Sequence, residues 1–535
     1  MHNDWIALFV ILPMLGGIVT TALRGHVMLQ RFAGLCVLGA TAITAWTLAF
    51  MISPETPVLV SWMGAWQPPF GIALALDGVN ATLLVVANIV AIAAYMHSFN
   101  TIAPALERGW FHPLFHLLIL GVNFSFITGD LFNLFVAFEI MLMASYALIV
   151  LGGGRAQLAQ AYKYVVLNLV GSTVFVLTAG LLYGVVGTLN YADLARIVSE
   201  AKMTGAPLPT GFQTLSVMLL FVFALKGAVF PLWFWLPDTY HTMPSSISAL
   251  FAALLSKVGV YAVLRLFPAV FASPGIDGLT FVQQLLPIAA GTTMVIAIIC
   301  ALSAVNVRRI LAMILIAHVG YLIFGVSLMR PGAFAGALHY MGQEMIVMAG
   351  LMLCCGMLEK RAGSVRLDEL GGIAKAMPGL GVMFFLLMIG LTGVPPLAGF
   401  YGKALLLREG IDAHAWWLVG ATVFTAVLTL VAMLRIWVRA FWGETSAPGL
   451  VVPDGAEAGP APRYGFATAG IALTVFVSVG YGLAAEPTLA WATRATAELD
   501  DPQAYIAAVL GPQDVAEPHT APAGHHDTVA MEVSR

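Results

Sequence analysis

The chain of 535 residues is 60% hydrophobic and 10% charged, with a mean hydropathy of +0.92 and a formal net charge of −3. A soluble domain carries about 25% charged residues, so most of this surface meets lipid, and without basic runs or acidic blocks nucleic acid is not an expected partner. The four cysteines (Cys36, Cys300, Cys354, Cys355) lie in apolar segments with no zinc-ligand or redox spacing, so neither a disulfide framework nor a metal site is expected.

A membrane-crossing helix needs about 20 apolar residues. That length marks fourteen spans: 5–23, 32–52, 71–95, 111–128, 131–152, 161–187, 214–237, 244–270, 280–302, 309–328, 334–357, 377–401, 414–441 and 466–485. The N-terminus has no basic region and no small-residue cleavage site, and reads as a retained first span. Alternate loops on one side hold fourteen Lys and Arg residues, including Arg24, Arg31, Arg308 and Arg309, against six on the other. The basic side is expected in the cytoplasm and both termini outside. From about Glu486 the chain turns richer in Pro, Ala and acids and reads as a disordered polar tail; its His519, His525 and His526 could bind metal only weakly.

A charge at the bilayer centre costs about 2.5–3.5 kcal/mol even on the lenient insertion scale, so the few such residues here stand out. Glu139, Lys226, Lys257 and Glu344 are mid-span, with His318 in a neighbouring span and His339 five residues before Glu344. Lys403 closes the segment GLTGVPPLAGFYGK. The competing readings are structural ion pairing for Glu139, snorkelling to the interface for the lysines, most of all Lys403, and satisfied core histidines for His318 and His339. Lysine suits a proton path because desolvation disfavours its charged form and a nearby carboxylate restores it. A Glu–Lys pair that forms and breaks is therefore a one-proton switch.

Two spans carry helix breakers beside a lysine. Gly227 and Pro231 follow Lys226, and Gly393, Pro395, Pro396 and Gly399 precede Lys403. Mid-membrane proline removes a helical hydrogen bond, and the freed backbone must face protein, water or a cavity. Matching interruptions in two halves point to inverted repeats with the pathway at the breaks.

The segments DLFNLFVAFEIMLMASYALIV, ALKGAVFPLWFWLPDTYHTMPSSISALFAALLSKVGVYAVLRLF, LDELGGIAKAMP and GLTGVPPLAGFYGK resemble the proton-translocating antiporter-like family. That family is shared by NADH:quinone oxidoreductase, membrane-bound hydrogenases and the Mrp-type sodium/proton antiporters. DLFNLFVAFE and LLSKVGVYA are particularly like the D subunits of the Mrp type. Over residues 70 to 440 the resemblance implies an all-α polytopic membrane protein with two inverted five-helix repeats, spans 4–8 and 9–13, each with a discontinuous helix. The organisation expected is three N-terminal spans over 1–110, repeats over 111–270 and 280–441, a loop and final span over 442–485, and the tail over 486–535. By position, Glu139 matches the carboxylate of the fifth span, Lys226 the lysine of the broken seventh, Lys257 that of the eighth and Lys403 that of the broken twelfth. Together they form the family's proton axis along the membrane midplane.

The family's lysine in the eleventh span is absent here: Met348 stands in its place, with Gln343 and Glu344 at the usual histidine pair. In the tenth span, Ile314 and His318 stand where the family often has His and Gln. Glu344 and His318, with His339, are the expected substitutes; the alternative is a second half that does not conduct. The function expected is a proton-conducting subunit of a hetero-oligomeric sodium/proton antiporter in a prokaryotic cell membrane, driven by the proton gradient without ATP or redox cofactor. Its expected partners are the other subunits, protons, sodium and lipid. The alternative is the proton-pumping arm of a redox complex.

Overall fold

A computed structural model describes residues 2–271, 281–444 and 464–511. Among them, twelve helices are long and apolar enough to cross a membrane. In chain order the helices are α1 (Asp4–Ala22), α2 (Val27–Met51), α3 (Gly78–Thr101), α4 (Pro104–Ile127), α5 (Leu131–Val150) and α6 (Arg155–Val186). A polar-faced surface helix, α7 (Tyr191–Thr204), precedes the first interrupted helix, α8 (Phe212–Gly227) and α9 (Trp235–Tyr240). Then come α10 (Ser245–Phe271), α11 (Phe281–Ser303), α12 (Val307–Ser327) and α13 (Pro331–Ala362). The second interrupted helix is α14 (Pro378–Thr392) and α15 (Ala398–Asp412), followed by α16 (Trp416–Phe441) and α17 (Gly465–Leu483). The chain is thus a multi-pass, all-α membrane protein.

The segments 214–237 and 377–401 are interrupted at their glycine–proline breaks, as expected: one helix ends at Gly227 and the other at Thr392. Two expectations change. The span expected at 71–95 starts later, at Gly78: Ala73–Leu76 (β2) pairs antiparallel with Leu59–Trp62 (β1). An apolar run is compatible with strand or helix, and Asp77 decides here by capping α3 through the amides of Val79 and Asn80. The tail is not disordered throughout. Residues 485–510 form α18 (Ala485–Ala495), α19 (Ala497–Asp500) and α20 (Gln503–Leu510), whose apolar faces pack on the hairpin end of the bundle. The His519, His525 and His526 cluster lies outside the described residues.

Charged loop residues are tied together end by end. On the arginine-rich end, Arg31 pairs with Glu107 at 2.7 Å, Arg309 with Asp238 at 3.1 Å, and Arg308 with Glu359. On the opposite end the hairpin, the start of α7, the end of α10 and α18–α20 meet. There Gly129 N donates to Ala73 O, Tyr191 N to Gly129 O, and Trp62 Nε1 to Val509 O.

The core is widest around α10 and α13, whose membrane windows are wholly buried, whereas α1, α2 and α16 keep most of their residues on the outside of the bundle. The innermost helices are thus the ones that carry Lys257 and Glu344. Close approach of α8 and α10 depends on Gly259. A Cβ there would stand 2.5 Å from Gly227 N and 3.0 Å from Lys226 Cβ. Overpacking of this kind costs about 1–3 kcal/mol, so Gly259→Val is expected to lower the melting temperature of the purified protein. It should also displace Lys226; an unchanged melting curve would contradict this packing.

Candidate proton-pathway site

The first break leaves backbone groups that the bundle satisfies one by one. After α8, Ala228 turns into the left-handed region at φ +58° and the Phe230–Pro231 bond is cis. Phe230 N donates to Thr293 Oγ1 at 2.9 Å, and Trp235 Nε1 donates to Leu225 O at 3.2 Å. Gly227 and Pro231 thus bring the end of α8 to rest beside α6, with Lys226 4% exposed. Its Nζ donates to Asn168 Oδ1 at 3.2 Å, Ser172 Oγ at 3.3 Å and Asn168 O at 3.5 Å. Ser172 in turn donates to Glu139 Oε1. Glu139 and Lys226 are therefore joined through one hydroxyl rather than in direct contact. Glu139 is half-buried, at the rim of a 440 Å³ apolar surface groove lined by Leu114, Phe135, Val136 and Met143.

Lys257 and Glu344 are both fully buried and form an ion pair at 2.5 Å, with Lys257 Nζ also donating to Ala252 O at 3.2 Å. That carbonyl lies in a π-helical turn, Phe251–Leu255, where the widened turn loosens the helical hydrogen-bond pattern. The pair connects α10 to α13 and hence the two halves of the molecule. Met348 and Ile314 are buried among apolar neighbours. Glu344 lies one helical turn before Met348, and His318 one turn after Ile314, so each polar group is displaced by a turn along the same face.

At the second break Gly393 is at φ +88° and the Pro395–Pro396 bond is cis. Gln343 Nε2 donates to Gly390 O at 3.1 Å. Lys403 Nζ donates to Leu391 O at 2.9 Å and Thr392 O at 3.3 Å, the last carbonyls of α14. The same Nζ lies 5.3 Å and 5.4 Å from the ring centroids of Tyr321 and Tyr340. Tyr340 meets His318 Nδ1 at 3.0 Å, while His318 Nε2 is buried with no hydrogen-bond partner among the described residues. Lys403, Tyr340 and His318 form one cluster, and Glu344 is four residues from Tyr340 on α13.

His339 is not part of it. Its ring stacks on Tyr481 at 4.8 Å and its Nε2 meets Thr488 Oγ1 at 3.2 Å, on the side of α13 facing α17 and α18. Five residues on a helix turn a side chain well away from its neighbour, so His339 and Glu344 cannot share a face. Asn168 and Ser172 are not among the residues expected at the site. Their signal is an i, i+4 polar pair on an otherwise apolar helix.

The arrangement is a row of ionisable groups, most of them sealed from solvent, on helices interrupted twice. Residues 128–429 match the transmembrane family described as NADH:quinone oxidoreductase/Mrp antiporter. The D subunit of the Na(+)/H(+) antiporter of Alkalihalophilus pseudofirmus is 36% identical over 95% of this chain and 99% of its own length. The chain belongs to this family. Among solved structures, a chain of the Mrp complex from Dietzia sp. superposes with a TM-score of 0.83 at 29% identity, covering 95% of this chain and 99% of that one. A chain of the archaeal membrane-bound sulfane sulfur reductase superposes equally well, with a TM-score of 0.84 at 25% identity over 95% and 100% of the two chains. Fold alone therefore does not distinguish an antiporter component from the membrane arm of a respiratory complex; sequence identity favours the first.

Proposed function

We propose that this chain is the proton-conducting subunit of a multisubunit sodium/proton antiporter of the prokaryotic cell membrane, driven by the proton gradient. The observation that carries the reading is the buried ion pair Lys257–Glu344 set between two lysine-bearing helix breaks, in a chain 36% identical to the D subunit of an antiporter. That relatives are D subunits of Na(+)/H(+) antiporters supports the other subunits of such a complex as partners and sodium as the exchanged ion.

The geometry suggests how a proton advances. Glu139 attracts charge toward Lys226 through Ser172, and Lys226 is held by Asn168 when charged. Loss of the Ser172 link to Glu139 leaves Lys226 held by Asn168 alone, and its proton can then move on. Lys257 is the next group of the row, and its approach to Glu344 or withdrawal from it sets whether a proton is kept there. From there His318 and Tyr340 lead to Lys403 at the second break. Each transfer moves one proton between groups that stay in the chain, so no cofactor takes part in the scheme.

The test is sodium-dependent dissipation of an imposed pH gradient in vesicles containing the complete complex. Lys226→Ala, assembled at wild-type level, is expected to lose exchange; full exchange by that variant overturns the reading. Iron–sulfur or flavin content in the purified complex would instead favour the redox arm.

A further inference from the structure

A second set of buried polar groups lies outside this row, at the end of the bundle covered by the hairpin and α18–α20. It begins on α10 itself. Lys257, Tyr261 and Arg265 recur at i, i+4 and i+8, one turn apart on one face. Tyr261 OH has two acceptors within reach for its one proton, Asn80 Oδ1 at 3.0 Å and Phe126 O at 2.9 Å. Asn80 N donates to Asp77 Oδ1 at 3.1 Å, and Asp77 Oδ2 pairs with Arg265 Nη1. Arg265 also stacks over Tyr505 of α20, 4.2 Å from its centroid.

Above that pair sits Glu498 of α19. Its Oε2 is buried with no hydrogen-bond partner among the described residues. Burying a carboxylate oxygen unpaired is costly unless water or a proton satisfies it. A cavity of 20 Å³ lined by Tyr191, Arg265, Glu498 and Tyr505 gives about the room that one water needs. The charges that face Glu498 are Asp77 from α3 and Arg265 from α10, with the phenols of Tyr505 from α20 and Tyr191 from α7. Arg265 and Asp77 cancel, so Glu498 is the surplus charge. Burial, with Asp77 adding to it and Arg265 opposing, pushes its carboxyl up to about 7.

We propose that Glu498 is the proton-collecting group of an extracytoplasmic port that runs along α10, past the Arg265–Asp77 pair to Tyr261, whose hydroxyl Asn80 orients, and on to Lys257. This rests on the proton-conducting reading above and adds its outer connection. In the transfer, Glu498 takes a proton from outside water and passes it to the cavity water, which leaves Glu498 ionised for the next. Tyr261, rotating its hydroxyl, gives its own proton to the neutral amine of Lys257 and is reprotonated through water by the extra proton from the cavity, so that water and phenol end unchanged and Lys257 has gained one proton. Arg265 keeps its charge throughout and positions Asp77.

The experiment uses the complete complex in liposomes of known orientation. The extracytoplasmic pH is scanned while the cytoplasmic side is held constant, and Lys226→Ala is measured alongside. Wild-type exchange is expected to show a limb near pH 7. Glu498→Gln should slow exchange by roughly ten-fold or more and remove that limb, and Glu498→Asp should keep it. Should Glu498→Gln fail to assemble, Tyr261→Phe serves instead, with slowed exchange and the limb retained. An assembled Glu498→Gln with wild-type rate and limb, or an unaffected Tyr261→Phe, overturns the port. If Lys226→Ala is inactive in the same preparations, only the port falls. If Lys226→Ala is fully active, or wild type exchanges nothing, the function reading falls and the port with it.

Discussion

Replacing Lys257 by Met, or Glu344 by Leu, is expected to abolish exchange and to destabilise the protein, while the double replacement abolishes exchange yet recovers stability. The two side chains are fully buried and 2.5 Å apart. Removing one partner of a buried pair costs about 3–5 kcal/mol because the other charge is left uncompensated. Part of that is recovered when the remaining group becomes neutral. Removing both takes away the uncompensated charge, and an apolar pair of similar volume is often no less stable than the ion pair. The measurement is a double-mutant cycle on thermal unfolding of the purified complex, with exchange assayed in parallel. Additive losses in stability would show that the two groups do not interact. Recovered stability together with recovered exchange would show that the pair is architecture and that protons travel elsewhere.

What the amino-acid order reveals follows the range of each signal. Hydropathy is local and averages over a turn or two, so the membrane class and most helices are visible from apolar length alone. Lysine beside glycine and proline is local as well, and both breaks fall where Gly227–Pro231 and Gly393–Pro396 place them. Pairing is not local. Lys257 and Glu344 are 87 positions apart, and nothing near either residue tells that α10 and α13 press together at that level. Glu139 and Lys226 belong together by resemblance to a family, but the hydroxyl of Ser172 between them depends on the rotation of α6. His339 misleads because five positions look close in sequence, whereas a helix carries them to different faces. The tail misleads through composition: α18–α20 are rich in Ala and acids, yet the few apolar residues among them, such as Leu499, Tyr505 and Val509, are buried. Glu498 is hidden for the same reason, since a carboxylate in an acidic tail gives no sign of being covered.

Lys403 is where the structural and functional readings of the second half separate most sharply. Its Nζ is held by the carbonyls of Leu391 and Thr392, which the break leaves without helical partners, and lies near the rings of Tyr321 and Tyr340. A cation at a helix C-terminus, facing aromatic rings, is stabilised whether or not it ever releases a proton. Lys403→Met is expected to reduce exchange by roughly 10²-fold, the usual scale for a positioned proton-transfer group. That loss alone would also follow from an unsatisfied helix end. Lys403→Arg divides the cases. Guanidinium can donate to both carbonyls and stack on both rings, but it does not give up its proton in proteins. An anchoring role predicts that Arg restores exchange along with stability. A relay role predicts that Arg restores the melting temperature and leaves exchange as low as Met does. The second outcome is expected, because Tyr340 links Lys403 to His318, and an anchor has no use for that connection.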